Sequence, residues 1–167
     1  MQVNHQFEID APIERVWDVV GNGFAEIGEW STAVPASQAH GGASDLPHAP
    51  VAGRSCQVAA PGFGAISEKL IGFDPATHTL TYRVEDGMPR FVSEAQNTWR
   101  LTPIDDRRTK VSMTAVFASN GIVGKVTVPI LKFNVRRTLA SIERDLSHYL
   151  TTGRPSQAKT NQVAKAG

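Results

Sequence analysis

The stretch Leu131–Gly153, LKFNVRRTLASIERDLSHYLTTG, decides the architecture. Its apolar residues fall at Leu131, Val135, Leu139, Ile142, Leu146, Tyr149 and Leu150, steps of three and four that lay one stripe along an α-helix. Lys132, Arg136, Arg137, Glu143, Arg144 and Asp145 occupy the positions between, so the stripe has to be covered by something upstream in the chain. Gly153 stands where a left-handed C-terminal cap belongs. The helix start has two readings. Pro129 either sits in the first turn or lies inside a longer helix beginning near Ile122.

What covers the stripe is written upstream as strands. Val3–Ile9 alternates with period two and reads as the first. Asp10-Ala11-Pro12 opens a short helix with Ile13, Val16, Trp17 and Val20 on its apolar face, and Phe24, Ile27 and Trp30 mark a second short helix after Gly21 and Gly23. A short strand is expected near Ala33–Ala39, and then Gly and Pro break the chain up to Ala52. Arg54–Ala60, Ala65–Phe73, Thr79–Glu85, Phe91–Pro103 and Thr109–Ser119 follow as strands. The turns between them are Pro61–Gly64, Asp74–Thr77, Asp86–Pro89 and Asp105-Asp106. Consecutive strands with short turns and one long helix predict an α+β fold with a seven-stranded antiparallel sheet. The reading is one domain over residues 1–152, with residues 153–167, small and polar without periodicity, as a disordered tail.

Composition excludes several classes. The 167 residues are 41% hydrophobic and 20% charged, enough to bury a core without metal or disulfide. A net charge of +1 with scattered basic residues makes no case for nucleic acid or an anionic membrane. The single cysteine, Cys56, cannot form an internal disulfide, and MQVNHQFEID has no apolar leader core, so a cytoplasmic protein is expected. The five histidines show no metal-ligand spacing. PGFG at 61–64 lacks the lysine and helix of a phosphate loop, and there is no G-x-S-x-G elbow. Neither metal nor cofactor is expected, and the oligomeric state is left open.

APIERVW (11–17), FDPATHTLTYRV (73–84) and NTWRLTPIDDRRTKVSM (97–113), in this order of elements, resemble the START-like, or Bet v 1-like, superfamily, and most closely its bacterial polyketide cyclase/dehydrase branch. The similarity covers about residues 3–152. It implies a helix-grip fold, a curved sheet wrapped around the long helix with an apolar cavity between them. Members bind lipids, hormones or polyketides, and some catalyse cyclisation, dehydration or hydrolysis. The fold specifies no reaction.

Strand parity then places side chains. Leu80, Tyr82 and Val84 face inward, with Trp99 and Leu101, and Val111, Met113, Ala115 and Phe117; the same parity turns Ser93 and Asn97 inside. Ile66, Glu68 and Leu70 put a carboxylate on the concave face opposite Arg54, Cys56 and Val58. Glu68-Lys69-Leu70 is similar to a triplet that recurs in plant hormone receptors of the superfamily, and the turns at 61–64 and 86–90 look like the loops flanking the cavity mouth there. Glu68, Tyr82 and Arg54 are the candidate catalytic residues, and Trp30, Asn97, Trp99, Met113, Phe117 and Phe133 the candidate ligand contacts. The alternative is that Arg54 and Glu68 form a surface cross-strand pair worth roughly 0–1 kcal/mol. Inside a cavity, arginine at contact distance makes Glu68 a ligand-orienting group, whereas without arginine it becomes a general acid or base. The expected function is binding of a hydrophobic, aromatic or polyketide-like molecule with possible cyclisation or dehydration. Rival readings are a non-catalytic carrier and an interaction module with a closed cavity. A drug-sized ligand calls for roughly 300 Å³ or more.

Overall fold

Helix α3, Gly121–Thr152, contains Pro129 in its interior, so the longer of the two helix readings holds. Its stripe is buried at Leu131, Leu139, Ile142, Leu146 and Leu150. Gly153 closes it with φ +69°, its N–H donating to the Tyr149 carbonyl at 2.8 Å. The computed structural model describes residues 1–59, 64–119 and 121–166. The turn read at Pro61–Gly64 therefore lies, for Pro61, Gly62 and Phe63, outside the described residues.

The stripe is covered by a seven-stranded antiparallel sheet in the order β1-β7-β6-β5-β4-β3-β2. The strands are β1 Gln2–Ile9, β2 Ala36–His40, β3 Gly53–Gln57, β4 Ala65–Asp74, β5 Thr79–Asp86, β6 Val92–Asp105 and β7 Arg108–Ser119. After β1 come α1, Ile13–Trp17, a π-type turn over Asp18–Asn22, a 3₁₀ turn over Phe24–Glu26, and α2, Ile27–Trp30. This is the helix-grip α+β arrangement. Every chain-neighbouring pair from β2 to β7 is antiparallel, and β1 returns to pair with β7, Phe7 opposite Val111 and Val3 opposite Ala115.

The inward parity runs as the alternation predicts on β5 and β7, where Leu80, Tyr82, Val111, Met113, Ala115 and Phe117 are all buried. On β6 it fails at Ser93, which is exposed while Val92 is buried. The register shifts between Val92 and Glu94, and a one-residue slip sends a side chain to the other face. Gly87, in the β5–β6 turn, has φ +87°, and a Cβ there would stand 2.2 Å from the Ala65 carbonyl oxygen, so both backbone and space demand glycine.

The expected disordered tail is instead a helix, α4, Gln157–Ala166. Ser156 caps it, its Oγ accepting from the Lys159 N–H at 3.2 Å. Lys159 is 0% exposed. Its Nζ donates to the Val34 carbonyl at 3.0 Å and the Pro35 carbonyl at 2.9 Å, and Gln162 Nε2 donates to the Thr32 carbonyl at 3.1 Å. Composition pointed to disorder because α4 has no apolar stripe; side-chain hydrogen bonds to a distant loop hold it. No described helix is long and apolar enough to cross a membrane.

The stripe makes a clear contrast within α3. Leu146→Ala is expected to cost about 2–5 kcal/mol, because the site is fully buried, whereas Phe133→Ala, 64% exposed, should stay within about 0.5 kcal/mol; urea denaturation of the two variants measures both.

Candidate functional site

Arg54 and Glu68 are directly opposite each other on β3 and β4. Two local features put them there. Gly53 lets β3 approach so closely that a Cβ would lie 2.2 Å from the Glu68 carbonyl oxygen. The β4–β5 register also shifts between Ser67 and Glu68, an irregularity of the kind that re-aims side chains. Arg54 Nε donates to Glu68 Oε2 at 2.5 Å, and the two side chains are only 5% and 7% exposed. The pair is internal, not the surface pair of the alternative reading.

The guanidinium is held from three further sides. Its Nη1 donates to the Phe24 carbonyl at 2.6 Å, and its Cζ lies 4.0 Å from the Phe24 ring centroid and 4.9 Å from that of Tyr82. Desolvated cation–π contacts of this kind contribute about 2 kcal/mol. Burial is the largest influence on Arg54 and works against its charge, but the Glu68 carboxylate, with Tyr82 and Cys56 adding to it, raises the Arg54 pKa above the ordinary arginine value. Cys56 Sγ lies 3.7 Å from the same Glu68 oxygen. Burial, with Arg54 opposing, pushes its thiol up from 9.0 to about 12. Burial likewise raises the Tyr82 hydroxyl, with Glu68 adding to it. Both stay protonated at neutral pH. Glu68 Oε2 takes both of these contacts, and among the described residues Oε1 accepts none.

These groups open onto a cavity of about 120 Å³ between the sheet and α3. Arg54, Cys56, Glu68, Tyr82, Asn97 and Phe117 line it from the strands, Met88 from the β5–β6 turn, and Asn134, Val135, Thr138, Leu139 and Ile142 from α3. Ala33 and Val34 form the wall beside α2. That wall is stitched down by Asp145, whose Oδ2 accepts from the Thr32 N–H and hydroxyl, each at 2.6 Å, and by Lys159. Burial pulls the Lys159 ammonium below the usual lysine range, with Asp145 opposing. A cleft of about 340 Å³ adjoins the cavity, sharing Ala33, Asn134 and Thr138 with it.

Of the residues singled out from sequence, Arg54, Glu68, Tyr82, Asn97 and Phe117 meet at this cavity. Trp30 and Trp99 lie behind Arg54 and Tyr82, around a void of only about 10 Å³, and among the described residues Trp30 Nε1 has no hydrogen-bond partner. Met113 is core, 2% exposed, and outside the lining. Phe133 points to solvent: it is two residues from Leu131, about 200° around the helix. Asn134 and Thr138 were not anticipated, although they sit one residue from the stripe positions Val135 and Leu139 and so border the buried face. Among the described residues no cluster of His, Cys, Asp and Glu is arranged to hold a metal.

Stability tests the pair directly. Arg54→Met should cost about 3–5 kcal/mol by leaving Glu68 buried and uncompensated, while the double variant Arg54→Met/Glu68→Leu recovers most of it, measured by chemical denaturation. A pH series tests the two protonated groups. The folded chain holds the Cys56 and Tyr82 protons more tightly than the unfolded chain, so their contribution is complete below about pH 9 and declines as pH rises toward 12. Cys56→Ala/Tyr82→Phe should flatten that decline in urea midpoints taken across this range.

Solved structures share the fold. The chain is similar to a START superfamily protein from Mycobacterium smegmatis, at TM-score 0.73 and 14% identity over 90% of this chain and 97% of that one. It is also similar to the Zhui aromatase/cyclase from Streptomyces sp. R1128, at 0.74 and 16% over 90% and 93%. Norcoclaurine synthase from Thalictrum flavum, in complex with a transition state analogue, matches at 0.65 and 14% over 90% and 94%. At these identities the likeness is one of fold. No curated protein matches the sequence. The family model described as polyketide cyclase / dehydrase and lipid transport matches residues 1–147, nearly the whole helix-grip unit, and the chain belongs to that family.

Proposed function

We infer that this protein binds a hydrophobic small molecule between the sheet and α3, with the Arg54–Glu68 pair orienting the ligand's polar atom. The observation that carries this reading is the ion pair at the floor of an otherwise mainly apolar cavity. Well-packed apolar residues in place of a buried pair are often neutral or stabilising by about 1–4 kcal/mol, so stability gives no reason to keep it. Recognition does. Arginine at contact distance supports reading Glu68 as an orienting group.

Size limits the ligand. A volume of about 120 Å³ is below the roughly 300 Å³ expected for drug-sized sites and close to the ~150 Å³ of an engineered apolar cavity that takes benzene. One aromatic ring or a branched acyl group fits the cavity as it stands. A polycyclic body does not, unless the wall moves or the ligand extends into the adjoining cleft.

A catalytic reading, cyclisation or dehydration of that ligand, has its own support. Glu68 Oε1 carries no hydrogen bond among the described residues, and Tyr82 keeps its proton beside a permanently charged Arg54. Glu68 would take a proton from carbon next to a carbonyl, and Tyr82 or Arg54 would stabilise the enolate oxygen.

Native mass spectrometry of the protein purified from its own host, before and after denaturation, is the test of binding. A released hydrophobic molecule is the expected result; an empty protein that also fails to bind toluene removes the reading. Incubation with the released molecule then separates the two versions. In an enzyme, Glu68→Gln should lower turnover by about 10²-fold or more, whereas in a carrier no product forms and the variant weakens binding by about tenfold at most.

A further inference from the structure

The cavity and the adjoining cleft differ in charge. The cavity is walled by Phe117, Val135, Leu139 and Ile142 around its single neutralised ion pair. The cleft carries Thr32, Ser141 and Arg137 beyond the shared residues. Thr32 and Ser141 are already engaged, with the Thr32 hydroxyl on Asp145 Oδ2 and 3.0 Å from Ser141 Oγ. Arg137 is exposed, and no carboxylate among the described residues lies within salt-bridge distance of it. Asn134 and Thr138, which line both spaces, sit one turn before Arg137 and directly after it on α3, and the described residues offer neither side chain a hydrogen-bond partner.

We propose that the cleft is an anion subsite, and that the ligand is amphipathic: an apolar head of single-ring or branched-acyl size in the cavity, and an anionic end group, carboxylate or phosphate, paired with Arg137. This rests on the binding reading above and names its ligand class. The chemistry follows from what each space leaves unsatisfied. Inside the cavity Arg54 is already matched by Glu68, so a second anion there would meet a carboxylate and no spare positive charge. Among the described residues lining the cleft the only charged side chain is Arg137, whose planar donor fork suits a carboxylate or phosphate. Asn134 and Thr138, which line both spaces, offer an amide and a hydroxyl to a polar linker. The 340 Å³ of the cleft leaves room for such a chain. It also removes the difficulty of size, since the ligand need not be contained within the 120 Å³ cavity.

Isothermal titration of the full-length protein with toluene, 4-phenylbutan-1-ol and 4-phenylbutyrate tests this, at low salt and for wild type and Arg137→Gln. Arg137 is exposed, so the variant should fold as wild type does. The acid is expected to bind wild type about tenfold more tightly than the alcohol, the worth of one charge-assisted hydrogen-bonded pair. That advantage should vanish in Arg137→Gln and shrink at high salt, with toluene affinity unchanged. If toluene binds but acid and alcohol bind equally, or the advantage survives Arg137→Gln, the anion subsite is wrong and the cavity reading stands. If none of the three binds, both fall. Repeating the series with phenylpropyl phosphate tells whether phosphate or carboxylate is preferred at Arg137.

Discussion

The structure depends on one packing constraint, that a single apolar stripe on α3 must be covered by a sheet that curves around it. A helix of 32 residues is about 48 Å long at 1.5 Å per residue, and a twisted seven-stranded sheet cannot follow a straight rod along that whole length. Where contact is good, Leu146 and Leu150 are buried. Where the surfaces diverge, small or polar residues, Asn134 and Thr138, border the stripe and the gap remains as the cavity. The cavity is thus the remainder of an imperfect fit, located by the chain's own choice of residues.

Within that gap the Arg54–Glu68 pair is costly to bury and well supported. Desolvating two ions costs several kcal/mol each, and the Coulomb attraction offsets this only with good geometry and full hydrogen bonding. The pair has the Phe24 carbonyl, the Cys56 thiol and two aromatic faces around it. The supporting groups come from three separate parts of the chain: the 3₁₀ turn, β3 and β5. A fold that assembles such a shell holds the carboxylate in one orientation, with Oε2 committed to Arg54 and Cys56.

Much of this was legible because it is periodic. The two-residue alternation of β5 and β7 and the three-and-four spacing of α3 each predict a buried face, and Glu68 and Arg54 were placed inside by the same parity. What was not legible depends on irregularity or distance. The slip between Val92 and Glu94 turns Ser93 outward with no warning in the residues. Met113 and Trp99 are indeed inward, but inward on a sheet means core at one end and cavity at the other, and alternation does not say which. The small cavity volume is likewise invisible to pattern, since it depends on how closely Leu139 and Ile142 approach the sheet. α4 had one signal, Ser156 in a capping position; its decisive contacts lie 124 and 125 residues away.

That distant contact bears on how a larger ligand would be admitted. Most of the cavity wall is regular structure: strands β3 to β7 cannot separate without breaking ladder hydrogen bonds, and α3 cannot shift without exposing its stripe. Outside the strands and helices, besides Val58 and Met88, is Thr32–Pro35, which is held by the Ala59 N–H on the Ala33 carbonyl, by Asp145 on Thr32, and by Lys159 on Val34 and Pro35. Each of these bonds is worth about 0.5–1.5 kcal/mol net, and those to charged groups about 1.5–3. Ala33 is also one of the residues shared by cavity and cleft. α4, through the buried Lys159, therefore supplies two of the hydrogen bonds that hold this part of the cavity wall in place.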